Sequence, residues 1–185
     1  MKRLSLRATF LGVFFFLHTS IAAPPLLPFS GVDVLSGQKV EVGSGVKKGT
    51  VVVFLSTDCP CSNSHIPELA QLAKDYPEFY FVGVHSNANE TLETCKVYFK
   101  KANLPFPVIQ DQESKLANQF KALKTPHAFV IIPSGDIVYQ GGVSNRADFS
   151  HSDKRFLRDA LQDIQDHKSV RTSQGRTLGC IIKRS

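Results

Sequence analysis

The stretch that limits this chain most is a run of strand-forming residues, 50–55, that ends in Ser56-Thr57-Asp58-Cys59-Pro60-Cys61-Ser62-Asn63. Residues 50–55 are β-branched or aromatic at almost every position, which suits a strand covered on both faces in a parallel or mixed α/β sheet. Pro60 fits the first position of a helix, where its missing N–H costs nothing and its φ is already helical. Cys59 therefore falls at the N-cap, where unpaired backbone N–H groups and the positive end of the helix dipole favour a thiolate over a thiol. Cysteines so placed ionise at roughly 3.5 to 7.5 instead of about 8.5, and the thiolate is the reactive form. Cys59 is the candidate nucleophile; Cys95, inside a second predicted helix, lacks such surroundings.

The chain opens with a basic segment (Lys2, Arg3, Arg7), an apolar run over 8–17 and small residues at Ala22-Ala23. That is the pattern of a secretory signal peptide, residues 1–22, and it predicts a periplasmic or secreted protein with no stable membrane span after cleavage. Its apolar run is too short to cross a bilayer. Removing it from 185 residues leaves 163, enough for one domain with a sizeable core. It also removes three of the 22 Lys and Arg, leaving 19 against 16 Asp and Glu. A balance of +3 is no footprint for nucleic acid. Four cysteines, two of them two residues apart, are too few to staple a chain of this length, and export makes redox use of a thiol plausible.

After a proline-rich linker (23–31), residues 32–42 alternate around Ser36-Gly37 as a hairpin would. The helix opened by Cys59 carries Ile66, Leu69, Leu72 and Ala73 at helical spacing and ends near Tyr76-Pro77. A strand over 79–85, a helix over 89–102, a short strand at 108–109 and a helix over 114–123 follow. Residues 128–132 and 137–140 then form a hairpin about Pro133-Ser134-Gly135-Asp136, and a helix over 152–167 closes a single domain spanning 32–167. The tail, 168–185, is basic and weakly patterned, yet it carries Gly179-Cys180-Ile181-Ile182.

This order of elements, with Cys59 ending the first core strand, Pro67 eight residues on and Thr125-Pro126 leading the hairpin, resembles the thioredoxin fold: a central mixed β-sheet flanked by helices. The resemblance implies that Thr125-Pro126 is a cis-proline site facing Cys59. Residues 54–60, Ser62-Asn63, Pro67-Glu68-Leu69 and the ending Arg176-Thr177-Leu178-Gly179-Cys180 are similar to exported bacterial redoxins of the alkyl hydroperoxide reductase/thiol-specific antioxidant (AhpC/TSA) group, which implies thiol redox chemistry. Ser62 stands where thioredoxins carry their second cysteine, and Val53 where they carry a buried carboxylate. Of the peroxiredoxin motif Pro-x-x-x-Thr/Ser-x-x-Cys, positions 52, 56 and 59 read Val, Ser and Cys. A peroxidase also needs an Arg beside the thiolate, and Arg146 is the candidate.

Two functions follow. The first is an oxidoreductase, needing no cofactor or metal, in which Cys59 attacks a protein or small-molecule disulfide, or a peroxide. A second thiol, Cys180 or Cys61, then resolves the product, and Thr125 and Pro126 present backbone to the substrate; the electron donor is left unnamed. The second is a Cu(I)-binding assembly factor using Cys59, Cys61 and a His, either His65 or His127, since soft thiolates select Cu(I). Between the two resolving thiols, residues two apart on a helix point about 200° around its axis. That disfavours Cys61 and leaves Cys180, on a glycine-flanked tail, as the expected partner.

Overall fold

The computed structural model describes residues 26–43 and 48–184; the segment read as a signal peptide lies outside the described residues. The predicted hairpin is present as β1 (Phe29–Asp33) and β2 (Lys39–Val42), paired antiparallel. The Asp33 carboxylate holds its turn by accepting the N–H and the hydroxyl of Ser36.

All seven residues of β3 (Gly49–Leu55) are buried. It runs parallel to β4 (Phe79–His85) and antiparallel to β7 (His127–Ile131). With β5 (Val108–Gln110) and β8 (Ile137–Gly141) they form a mixed seven-stranded sheet in the order β2-β1-β5-β4-β3-β7-β8.

Because side chains alternate across a strand, β3 feeds two cores. Val51, Val53 and Leu55 pack with Leu69 and Leu72 of α1 (Pro60–Asp75), Cys95 and Phe99 of α2 (Leu92–Ala102), and Leu157, Ala160 and Leu161 of α4 (Phe156–Gln165). Val52 and Phe54 face the other side, with Leu116 and Ala117 of α3 (Lys115–Gln119), Phe120, Phe129 and, from the tail, Ile182. This is the thioredoxin-like α/β architecture expected of the chain. Among the described residues no helix is long and apolar enough to cross a membrane.

Three helices are shorter than their apolar periodicity predicts, each for a local reason. The Thr91 hydroxyl accepts the Thr94 N–H and sets the start of α2. The carboxylate of Asp111 takes the N–H groups of Leu116 and Ala117, and the positive φ of Lys121 turns the chain out of α3. A 3-10 turn at Phe149–His151, followed by extended Ser152, delays α4 to Phe156.

The early end of α3 frees residues 124–125 to form β6 (Lys124–Thr125). Its antiparallel partner is β9 (Cys180–Ile181), from the tail. The tail is held further along its length. Ser173 and Gly175 bond to Gln140 of β8, Ile182 N–H to the Leu123 carbonyl, and Lys183 N–H to Asn87.

Leu69 sits with no exposed surface in the first core, so Leu69→Ala should cost about 2–5 kcal/mol in urea unfolding. Val97, 72% exposed on α2, serves as the control, and its change to Ala should stay within about 0.5 kcal/mol.

Candidate active site

β3 ends at Leu55, and the next four residues carry the chain to the start of α1 with Cys59 as N-cap, Pro60 following it. A buried carboxylate fixes this loop. Glu90, just before α2, accepts the Ser56 hydroxyl at 2.5 Å and the Thr57 N–H and hydroxyl at 2.6 Å each. Because the Ser56 hydroxyl spends its proton on Glu90, its oxygen is free to accept the N–H of Cys59 at 3.1 Å and of Asp58 at 3.3 Å. On the outer side Tyr98 donates to Asn63, whose amide donates to the Thr57 carbonyl.

Cys59 is 1% exposed, and backbone groups face its sulfur. Ser62 N–H points at it from the first turn of α1 at 3.5 Å, and Cys180 N–H from β9 at 3.3 Å. As a thiol Cys59 donates to the Thr125 carbonyl at 3.1 Å. Burial pushes its pKa up, but hydrogen bonding from the Cys180 side chain and from the N–H groups of Ser62 and Cys180 outweighs that, and the net result is a thiol more acidic than usual.

The other two thiols near it move the opposite way. Burial and the neighbouring Cys59 charge push Cys61 up to about 11. The hydrogen bond it gives to Cys59, together with burial, pushes Cys180 up to about 11. Cys59 is thus the most acidic of the three thiols, and Cys61 and Cys180 are held protonated at neutral pH.

Cys59, Cys180 and Thr125 come together as one contact cluster, and the Thr125-Pro126 bond is cis. Cys61 lies alongside, its thiol donating to the Leu178 carbonyl at 3.4 Å. Between them Gly179 is required. Its φ is +127°, and a Cβ there would lie 1.9 Å from the Thr125 carbonyl oxygen. Arg146 is placed differently: its guanidinium is more than half exposed and faces Asp153 at 4.0 Å.

Neither histidine of the copper reading turns to the thiols. His65 is buried, its Nδ1–H donating to the Cys61 carbonyl at 2.7 Å while Nε2 accepts the Ser144 hydroxyl at 2.8 Å. Burial lowers its pKa, in keeping with that neutral ring. Nδ1 of His127 accepts the Leu123 N–H, and its ring packs on Phe129.

Sequence reasoning missed Glu90 and its partner His85. They form a fully buried pair at 3.0 Å, with the Cys95 sulfur 3.4 Å from the same imidazole nitrogen. The donor atoms of these three residues lie within 4.8 Å of one another, as in a metal cage, but hydrogen bonds from Ser56 and Thr57 already take both Glu90 oxygens. One signal was available: Glu90 follows the C-terminal end of a parallel strand, where α/β sheets place functional groups.

Residues 26–140 match the AhpC/TSA family. The chain belongs to that family. Among curated proteins, a thiol-disulfide oxidoreductase ResA of Bacillus cereus is 28% identical over 107 residues, 58% of this chain and 62% of ResA. The chain therefore spans less than two thirds of that relative's length. Among solved structures, an uncharacterized conserved protein from Geobacillus kaustophilus superposes with a TM-score of 0.80 at 25% identity, over 88% of this chain and 92% of the other. A thiol:disulfide interchange protein of the thioredoxin family from Chlorobium tepidum TLS is 31% identical, with a TM-score of 0.57 over 71% of this chain and 94% of its own. The part of the chain matched to the AhpC/TSA family ends before β9, so Cys180 lies beyond it.

The buried pair gives this AhpC/TSA protein a pH signature. Burial opposes the charge on His85, but hydrogen bonds to Cys95 and Glu90 raise its pKa from 6.5 to about 9. Burial likewise opposes the Glu90 charge, and His85, Ser56 and Thr57 lower its pKa from 4.5 to about 2. The His85 contribution to stability is complete below 6.5 and disappears as pH rises through 9; that of Glu90 is complete above 4.5 and disappears as pH falls towards 2. Unfolding free energy measured against pH should therefore lose a component between pH 6.5 and 9 that His85→Gln lacks, with a slope difference of at most about 1.4 kcal/mol per pH unit. Parallel curves for the two proteins over that range would contradict the pairing.

Proposed function

We propose that this protein is an exported thiol-disulfide oxidoreductase in which Cys59 is the attacking thiolate and Cys180 the resolving thiol. The observation that carries the reading is the Cys180 N–H 3.3 Å from the Cys59 sulfur, set there by the pairing of Cys180 with Thr125. The thiol-disulfide chemistry named for ResA and for the Chlorobium protein supports it, as does a leader over residues 1–22, which would deliver the chain to a compartment where disulfides persist.

Disulfide exchange is favoured over peroxide reduction. Arg146, the candidate guanidinium, is more than half exposed and faces Asp153, and Val52 replaces the proline of the peroxidase motif.

The reaction runs in two exchanges. The pairing of β9 with β6 opens, and the Cys59 thiolate attacks one sulfur of a substrate disulfide. A mixed disulfide forms and the substrate's other sulfur leaves as a thiolate. β9 then returns, Cys180 loses its proton and attacks the Cys59 sulfur, and the second substrate thiolate leaves. The substrate has gained two electrons, and the protein holds a Cys59–Cys180 disulfide. Thr125, on the strand edge beside Cys59, supplies the backbone against which the substrate's chain lies while β9 is away. Cys61, more basic and engaged with Leu178, takes no part.

Peptide mapping of the protein after oxidation by glutathione disulfide should find Cys59 joined to Cys180. Cys59→Ser should abolish turnover, and Cys180→Ser should accumulate glutathione on Cys59 while turnover falls at least tenfold. Full-rate turnover by Cys180→Ser, with a Cys59–Cys61 bond in the map, would make Cys61 the resolving thiol.

A further inference from the structure

Charge is spread unevenly over this protein, and the imbalance falls beside the proposed redox site. The two stretches that build the β6–β9 ladder and its approaches, 115–127 and 168–185, hold three Lys in the first and five Lys and Arg in the second, with no Asp or Glu in either. Acids from outside these stretches neutralise Lys115, Lys168 and Arg171, through Glu113, Asp166 and Asp163. Lys121, Lys124, Arg176, Lys183 and Arg184 have no carboxylate partner among the described residues, and Arg184 bonds to neutral groups, the Asn118 side chain and the Ala122 carbonyl. Elsewhere exposed cations are balanced by neighbours, as Lys39 is by Glu41 and Lys96 by Glu93.

The uncompensated charge reaches the thiols. Burial and the Cys59 charge raise the pKa of Cys61 while Lys124 opposes them, and hydrogen bonding with Cys59 and burial raise that of Cys180 while Lys183 opposes them. Among these cations two apolar side chains stand in water: Leu123, 61% exposed, and Ile181, 64% exposed. They are neighbours across the ladder, since Leu123 precedes Lys124, which lies opposite Ile181. A groove of about 940 Å³ opens beside them, lined by Lys121 and Leu123 together with Phe120, Ile137 and Thr177. Fields from unpaired cations of one sign add, and at 0.1 M salt they extend about 10 Å, enough to draw an oppositely charged chain in before contact. Exposed apolar side chains rimmed by charge mark a surface that binds another molecule, and a groove suits an extended polypeptide where a lipid surface would need a flat face.

We propose that the disulfide substrates of this protein are polypeptides with acidic residues beside the cystine. Their carboxylates meet the five unpaired cations, an apolar neighbour enters the groove at Leu123, and the disulfide is thereby brought to the strand edge beside Thr125, where Cys59 attacks it. Lys121 and Lys124 belong to the α3–β6 side of the ladder, so the substrate keeps hold of them while β9 is away. The inference names the substrate class of the proposed thiol-disulfide oxidoreductase and rests on that reading.

The test uses the reduced full-length protein and two peptides of equal length, each closed by one disulfide and carrying the same apolar residue, with either Asp and Glu or Lys and Arg flanking the cysteines. Single-turnover rate constants are read by acid quench and mass spectrometry, with hydroxyethyl disulfide as a small uncharged comparison. At about 10 mM salt the acidic peptide should react at least tenfold faster than the basic one, and the ratio should fall towards unity at about 1 M salt, where the Debye length is about 3 Å. In Lys121→Glu/Lys183→Glu the ratio should drop at least tenfold, and because it compares two substrates on one protein, a general loss of activity does not imitate that result. Equal rates, a faster basic peptide, or an acidic preference that the double variant retains would overturn the inference while leaving the proposed function standing. Equal rates with the protein sedimenting on phosphatidylglycerol vesicles would assign the cations to a lipid surface and overturn it likewise. If hydroxyethyl disulfide is not reduced either, thiol-disulfide exchange itself is absent, and the reading beneath falls together with the inference.

Discussion

The Cys180 N–H reaches the sulfur of Cys59 only because β9 lies antiparallel to β6, with Thr125 opposite Cys180 and Lys124 opposite Ile181. That short pairing does three things at once. It adds a donor to those that α1 directs at Cys59, it sets the residue carrying a second thiol beside the first, and it packs against a Cys59 that is 1% exposed. A two-residue ladder is weak by itself, and here it is secured on both sides. Ile182 is buried in the second core beyond it, and Ser173 and Gly175 are bonded to β8 before it.

The opposite wall of the site depends on a buried charge. The Glu90 side chain is only 2% exposed, and such a carboxylate is stable only when its lone pairs are taken up. Ser56, Thr57 and His85 supply that, and in doing so they set the orientation of the Ser56 hydroxyl on which the Cys59 backbone rests. Where thioredoxins place a carboxylate beneath the nucleophile on β3 itself, Val53 is apolar here. The carboxylate present comes instead from the loop after β4, and it contacts the loop that carries the cysteine.

How much of this could be read from the chain alone varies with the range of the interaction. The strand of residues 50–55, Pro60 and the cap position of Cys59 are local features, written in adjacent residues, and they appear in the structure as read. Hairpin and helix positions followed from periodicity, although it overran the true ends of α3 and α4, because Asp111 and the 3-10 turn at Phe149–His151 act through geometry that periodicity does not encode. The contact between β6 and β9 joins distant parts of the chain through two-residue strands, too short to have a period. Gly179-Cys180 therefore marked the tail as unusual without disclosing what it touches. Glu90 was hidden for a related reason: an acidic residue before a helix ordinarily serves the helix dipole, and nothing near it in sequence indicated Ser56 or Thr57.

The docked tail is what makes Cys59 the acidic thiol of the site, and the ionisation of Cys59 in Gly179→Ala measures its effect directly. A Cβ at 179 would collide with the Thr125 carbonyl, so this change displaces β9 while leaving every residue of α1 and the Cys59 loop in place. Followed by the pH dependence of Cys59 alkylation, the thiol pKa should rise in the variant, because the Cys180 N–H and thiol no longer face the sulfur. An unchanged Cys59 pKa in a folded variant with β9 displaced would mean that α1 alone sets the acidity of Cys59, and would contradict the role assigned to the tail.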